Sequence, residues 1–133
     1  MNIIGNGVDI VDNTRIKNAI KNKFFVSRIF TVNEIKKSKN LNNKANYFAK
    51  RFAAKEAFVK AVGEGFRNNI NFSDIDITND KKGKPIINIS TKIKKFLKKK
   101  FNLNKFKIFL SLSDEKKYSI AYVIINKQKW KSL

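Results

Sequence analysis

Residues 44–62 read KANYFAKRFAAKEAFVKAV, and Gly63 follows them. Phe48, Phe52, Ala53, Phe58, Val59 and Val62 recur at the three- and four-residue spacing of a helix with one buried face. This predicts the longest helix of the chain, preceded by the polar break Asn40-Leu-Asn-Asn43 and closed by Gly63 as a left-handed cap.

Upstream, residues 3–11 cluster Ile and Val at strand density, and Gly5 and Gly7 permit close backbone approach on one side. They predict a first strand. Asp12, Asn13 or Thr14 can cap a helix that carries Ile16, Ala19 and Ile20 inward and ends near Asn22. Thr31-Val-Asn-Glu34 is a capping box, which opens a short helix to about Lys39. Downstream the period changes to two. Residues 72–78 alternate, Asn79-Asp-Lys-Lys-Gly83 turns, and residues 85–89 alternate again, which predicts a hairpin. Ser90 and Thr91 cap a lysine-rich helix with Ile93, Phe96 and Leu97 inward and Lys98-Lys99-Lys100 outward. Residues 106–113 and 118–126 form a second antiparallel pair around Asp114-Glu-Lys-Lys117. The expected fold class is α+β: a single compact domain over residues 1–133, with an antiparallel sheet and a long central helix.

With 133 residues, 42% hydrophobic and 12 Phe, the chain has enough apolar surface for a core, which excludes global disorder. Its 30 Lys+Arg against 10 Asp+Glu give a formal charge of +20. Only Arg15, Arg28, Arg51 and Arg67 are arginines, so the excess is lysine. Such a field attracts acidic partners and says nothing about fold. Eighteen Asn and eighteen Ile beside the lysines are also what an AT-biased genome inflates on a tolerant surface. The absence of Cys and His excludes disulfides, thiol nucleophiles, Ser-His triads and ordinary zinc sites, leaving carboxylates, Lys, Arg, hydroxyls and backbone for any chemistry. The opening MNIIGNGVDIVD lacks a basic leader and does not read as a signal peptide, and no apolar run approaches a membrane span. A soluble, reducing, cytoplasmic setting is expected.

Two carboxylates sit among apolar neighbours: Asp9 in the first strand and Glu56 in the long helix. Asp9 can serve as a strand-end acceptor and Glu56 as the i,i+4 partner of Lys60. Together they also suit Mg²⁺, which takes one or two carboxylates plus phosphate and water oxygens and needs neither Cys nor His. Arg51, Lys55 and Lys60 stand on the same helix and could neutralise a diphosphate. That combination fits phosphoryl transfer. Asp74, Asp76, Asp80, Asp114, Glu34 and Glu115 fall in turns, caps or exposed strand positions where solvation explains them. No phosphate-binding loop of the G-x-x-x-x-G-K-[ST] type is present. Gly63-Glu-Gly65 reads as a cap and tight turn that could also line a pocket.

Gly7-Val-Asp9 with Arg15, Arg28-Ile-Phe-Thr31 with Glu34, and Arg51-Phe-Ala-Ala-Lys-Glu-Ala-Phe58 with Lys60-Ala-Val-Gly-Glu-Gly65 resemble the holo-acyl-carrier-protein synthases, a 4′-phosphopantetheinyl transferase family. Phe72-Ser-Asp-Ile-Asp-Ile77, Gly83-Lys-Pro85 and Ser111-Leu-Ser113 extend the resemblance over essentially the whole chain. It implies an enzyme that moves 4′-phosphopantetheine from coenzyme A to a serine of apo acyl carrier protein, releases adenosine 3′,5′-bisphosphate, uses Mg²⁺ and supports fatty acid biosynthesis. By motif match, Asp9 and Glu56 would hold the metal, and Lys60 would neutralise phosphate oxygens. Glu56 is also the candidate base for the attacking serine, acting directly or through a metal-held water. Arg51, Lys60, Gly63, Gly65 and Ser113 would bind coenzyme A, and Arg15 and Arg28 would meet the acidic carrier protein. Family members resemble trimers with ligand sites between subunits. Where the family usually reads His after Ser-Leu-Ser or Ser-Leu-Thr, this chain has Asp114. A competing reading is a basic nucleic-acid-binding domain, motivated by the charge and the lysine-rich helix. Most Phe fall at core spacing instead of interleaving with the basic residues. No nucleic-acid or membrane partner is expected.

Overall fold

The computed structural model describes residues 2–63 and 70–128. Three antiparallel strands form the main sheet in the order β1-β5-β4, with β1 Ile3–Asp12, β4 Phe106–Asp114 and β5 Tyr118–Lys127. Its inner face carries the alternate residues Ser119, Ala121, Val123 and Ile125 of the central strand β5, all fully buried. Against that face lies α4, Lys44–Val62, with the bounds its hydrophobic repeat predicts. The predicted hairpin is β2, Ile75–Asn79, paired with β3, Pro85–Ile89, Asn79 opposite Pro85. Helix α5, Thr91–Phe101, is capped by Ser90 and buries Ile93 and Leu97 fully.

Gly63 closes α4 with φ 89° and ψ −157°, a positive-φ conformation open to glycine but outside the left-handed helical well that the sequence suggests. Helix α1, Asn13–Ala19, is capped by the Asp12 carboxylate and ends earlier than expected. Asn22 does not stop it: its side chain accepts from Phe24 and Phe25 and starts α2, Lys23–Ile29, which no amphipathic spacing announces. Residues 72–74 form a single 3-10 turn before β2, because the Asp74 carboxylate accepts from Asn71 N–H and curls the chain. The capping box opens α3, Val32–Ser38, as predicted. Lys100 does not point outward with Lys98 and Lys99. Its ammonium donates to Val62 O at 2.9 Å and satisfies a carbonyl that α4 leaves free at its C-terminus.

Candidate active site

Two glycines set the position of Asp9. A Cβ on Gly5 would lie 2.0 Å from Ala61 O and one on Gly7 2.0 Å from Ala57 O, so only glycine lets β1 lie directly on α4. Asp9 is the next residue on that face, and its side chain is 15% exposed. From α4, Lys60 reaches it: Lys60 Nζ lies 3.1 Å from Asp9 Oδ1 and donates to Val8 O at 3.0 Å. Glu56 stands one turn before Lys60 on the same side of the helix, half-buried. Lys60 opens onto a cleft of about 320 Å³ with Asn6, Gly7, Val8 and Tyr122. Among the described residues no three metal-ligating side chains gather. The carboxylates of Asp9, beside Lys60, and of Glu56, one turn before it, still suit Mg²⁺, whose remaining positions water and ligand phosphate ordinarily fill.

Arg51 lies elsewhere. It stands about 140° around α4 from Glu56, five residues at roughly 100° each, and lines a second pocket of about 720 Å³ with Lys37, Lys50, Pro85, Leu112 and Asp114. Its guanidinium carbon sits 3.7 Å from the Tyr47 ring centroid, and Nη2 donates to Asn79 Oδ1 at 3.0 Å. Arg51 is 5% exposed, and burial lowers its pKa from the ordinary value while Tyr47 and Glu34 oppose the shift. Its Nε is buried without a partner among the described residues.

Lys55 is not available to a diphosphate. Its side chain is fully buried, and its ammonium donates to Glu34 Oε1 at 2.6 Å, Ile29 O at 2.6 Å and Phe72 O at 3.1 Å. Glu34 is equally buried, against the expectation that solvation explains it. Besides Lys55, its carboxylate accepts from Thr31 N at 2.9 Å and Ile77 N at 2.8 Å. Asp76, also expected to be solvated, is half-buried and accepts from the Thr31 hydroxyl. Burial lowers the Lys55 pKa from its ordinary value, with Glu34 opposing. The signal for this pair was present, because Lys55 falls at the three-four spacing of Phe48, Phe52, Val59 and Val62, inside the apolar stripe.

Arg15 is exposed on α1, and Arg28 on α2 lines a cleft of about 500 Å³ with Ile29, Val59 and Phe72. Phe24, one turn before Arg28, is 81% exposed. Ser113 projects from the opposite face of β4 to Leu112 and Asp114 and does not line the Arg51 pocket. Gly63 ends α4 beside the Lys100 ammonium. Gly65 lies outside the described residues.

Residues 5–123 match the model of the 4′-phosphopantetheinyl transferase superfamily. The chain belongs to that superfamily. A holo-[acyl-carrier-protein] synthase from Pelagibacter ubique is 55% identical over 128 residues, 96% of this chain and the whole of that protein. Among solved structures, a holo-(acyl-carrier-protein) synthase from Bacillus anthracis in complex with CoA (3′,5′-ADP) shares 35% identity with a TM-score of 0.80, covering 96% of this chain and 100% of that one. The Neisseria meningitidis holo-[acyl-carrier-protein] synthase shares 38% at a TM-score of 0.83, covering 94% and 99%. The mixed helical and antiparallel architecture is thus that of phosphopantetheinyl transferases, and the chain is an enzyme of that class. No helix among the described residues is long and apolar enough to cross a membrane.

Proposed function

We propose that this transferase moves 4′-phosphopantetheine from coenzyme A to a serine of apo acyl carrier protein, with Mg²⁺ as cofactor and adenosine 3′,5′-bisphosphate as the second product. The observation that carries the reading is the close seating of β1 on α4, which puts Asp9 and Lys60 in contact with each other, and Glu56 stands one helical turn before Lys60. Asp9 and Glu56 would hold Mg²⁺, which when bound would offset the negative charge of the diphosphate. The serine oxygen attacks the phosphorus that bears pantetheine, and the bond from that phosphorus to the bridging oxygen breaks. The electron pair leaves with the adenosine bisphosphate. Glu56 takes the serine proton, directly or through a water, and Lys60 balances charge on the departing phosphate. The Arg51 pocket would receive the nucleotide end: its cations suit phosphate, and Pro85, Leu112 and the Tyr47–Arg51 stack suit a flat base. The Bacillus anthracis relative was solved in complex with CoA (3′,5′-ADP), which supports a ligand with a nucleotide end.

A homotrimer completes the reading. The Arg51 pocket and the Lys60 cleft open from different sides of α4, so one ligand reaches both if each copy supplies one of them. The outer face of the sheet offers a surface for such an assembly, with Val8 and Ile10 53% and 59% exposed beside Ile120 and Tyr122. Ser113 lies on that face and would reach the ligand from a neighbouring copy. Arg15 and Arg28 would steer the acidic carrier protein, with exposed Phe24 as an apolar anchor beside Arg28. A cytoplasmic role in fatty acid biosynthesis, without nucleic-acid or membrane partners, goes with this chemistry.

Intact-mass spectrometry of apo carrier protein incubated with the enzyme, coenzyme A and Mg²⁺ tests the proposal. The expected result is a gain of one phosphopantetheine, lost with chelator and lowered about 10²-fold or more by Glu56→Gln or Asp9→Asn while circular dichroism is unchanged. No gain with a folded enzyme and a competent carrier refutes it.

A further inference from the structure

The Arg51 pocket is cationic through Lys37, Lys50 and Arg51, and Asp114 is the one carboxylate that lines it among the described residues. Asp114 is held in place. Oδ1 lies 3.5 Å from Lys50 Nζ, and Oδ2 accepts from Asn46 Nδ2 at 2.9 Å. The same Asn46 amide donates to Glu115 O at 3.2 Å and pins the β4–β5 turn to the start of α4. Lys50 therefore meets any incoming anion already paired, and the anion meets a fixed negative charge.

We propose that Asp114 is a specificity-determining residue, which lowers the enzyme's preference for coenzyme A over the analogue that lacks the 3′-phosphate. The inference rests on the reading that this pocket takes the nucleotide end. Both ligands carry the diphosphate, which belongs with Lys60 in a different cleft, and both carry the same base. Only coenzyme A carries the phosphate monoester, which holds nearly two negative charges at neutral pH. The repulsion from Asp114 falls on that group, and because Lys50 and Asp114 are about 30% exposed, salt screens it.

Isothermal titration of coenzyme A and of dephospho-coenzyme A into the wild-type protein and Asp114→Asn tests this. Asparagine keeps the size and the acceptor for Asn46, so the turn is retained. Coenzyme A is expected to bind about tenfold tighter to the variant, with less than about a twofold change for the dephospho ligand, the gain shrinking as salt rises from about 0.05 to about 0.5 M. Lys50→Met is expected to weaken coenzyme A binding more in the Asp114→Asn background than in wild type, because only there is the ammonium unpaired. An unchanged ratio of the two affinities overturns the proposal. So does equal tightening of both ligands, which would place the effect on the shared diphosphate. Asp114→Ser carries the same expectation and decides the matter if Asp114→Asn does not fold. Failure of wild type to bind either ligand refutes the pocket reading itself, and the inference with it.

Discussion

Replacing Lys55 by Met should destabilise this protein more than any surface change, and the size of the effect follows from what the ammonium holds. Three hydrogen bonds end on it, from elements far apart in sequence: Ile29 O at the end of α2, Glu34 Oε1 on α3 and Phe72 O before β2. Methionine fills the volume and removes the charge, which leaves two carbonyls without their donor and a carboxylate that is fully buried without its cation. Breaking a buried ion pair from one side costs about 3–5 kcal/mol, and an orphaned buried acceptor about 1–3 kcal/mol. These terms overlap, so the expected loss is about 4 kcal/mol. That is a large share of the roughly 5–15 kcal/mol that holds a domain together. Urea unfolding followed by circular dichroism should show the midpoint falling by about 1.3–4 M, for a slope near 1–3 kcal/mol per molar. The double variant Lys55→Met with Glu34→Gln should lose clearly less than the sum of the single losses, by about 1–3 kcal/mol, because the second change removes the charge that the first left stranded. A loss under about 1 kcal/mol for Lys55→Met, or strictly additive losses, would refute the reasoning.

Gly7→Ala should cost about 3 kcal/mol and lower transfer activity with it, since the new methyl meets the Ala57 carbonyl and pushes Asp9 off α4, whereas Gly83→Ala, open on all sides with φ 88°, should cost only about 1 kcal/mol; thermal melts compare the two. Arg15→Glu should raise the KM for carrier protein about tenfold at low salt and leave the KM for coenzyme A unchanged, a split that steady-state kinetics reads directly. Burial raises the Tyr47 pKa above its ordinary value, with Arg51 opposing. The folded state then keeps a proton that the unfolded chain releases above about pH 10, so Tyr47 withdraws stability as pH rises through that range. Denaturant midpoints should accordingly fall less steeply above about pH 10 for Tyr47→Phe than for wild type.

Much of the fold was legible because its signals are local. The repeat of residues 44–62, the Thr31–Glu34 box and the hairpin around Gly83 each bring together groups a few positions apart, and the structure contains all three, with the first hairpin strand starting at Ile75 and not at Phe72. Helix α2 was not legible, since Phe24-Phe25-Val26 shows no single apolar face and Asn22 serves equally as a stop or a cap. The burial of Glu34 was not legible either, for a different reason. Its capping role is complete within four residues, and nothing nearby reveals that Lys55 and Ile77 N–H also converge on it.

Order along the chain therefore decided the strands, every helix except α2, and the residue types open to chemistry, because these depend on spacings of two to four residues. Only the tertiary structure decided which charges are spent on stability and which face a cleft. Lys55 and Lys60 differ by little more than one helical turn in sequence. One lies against Glu34 in a dry interior, and the other stands beside Asp9 at a cleft. The difference arises from what packs on each side of α4: the capping box and α2 on one, and the glycine face of β1 on the other. Those partners come from distant parts of the chain, and burial by them sets whether an ammonium is locked or exposed.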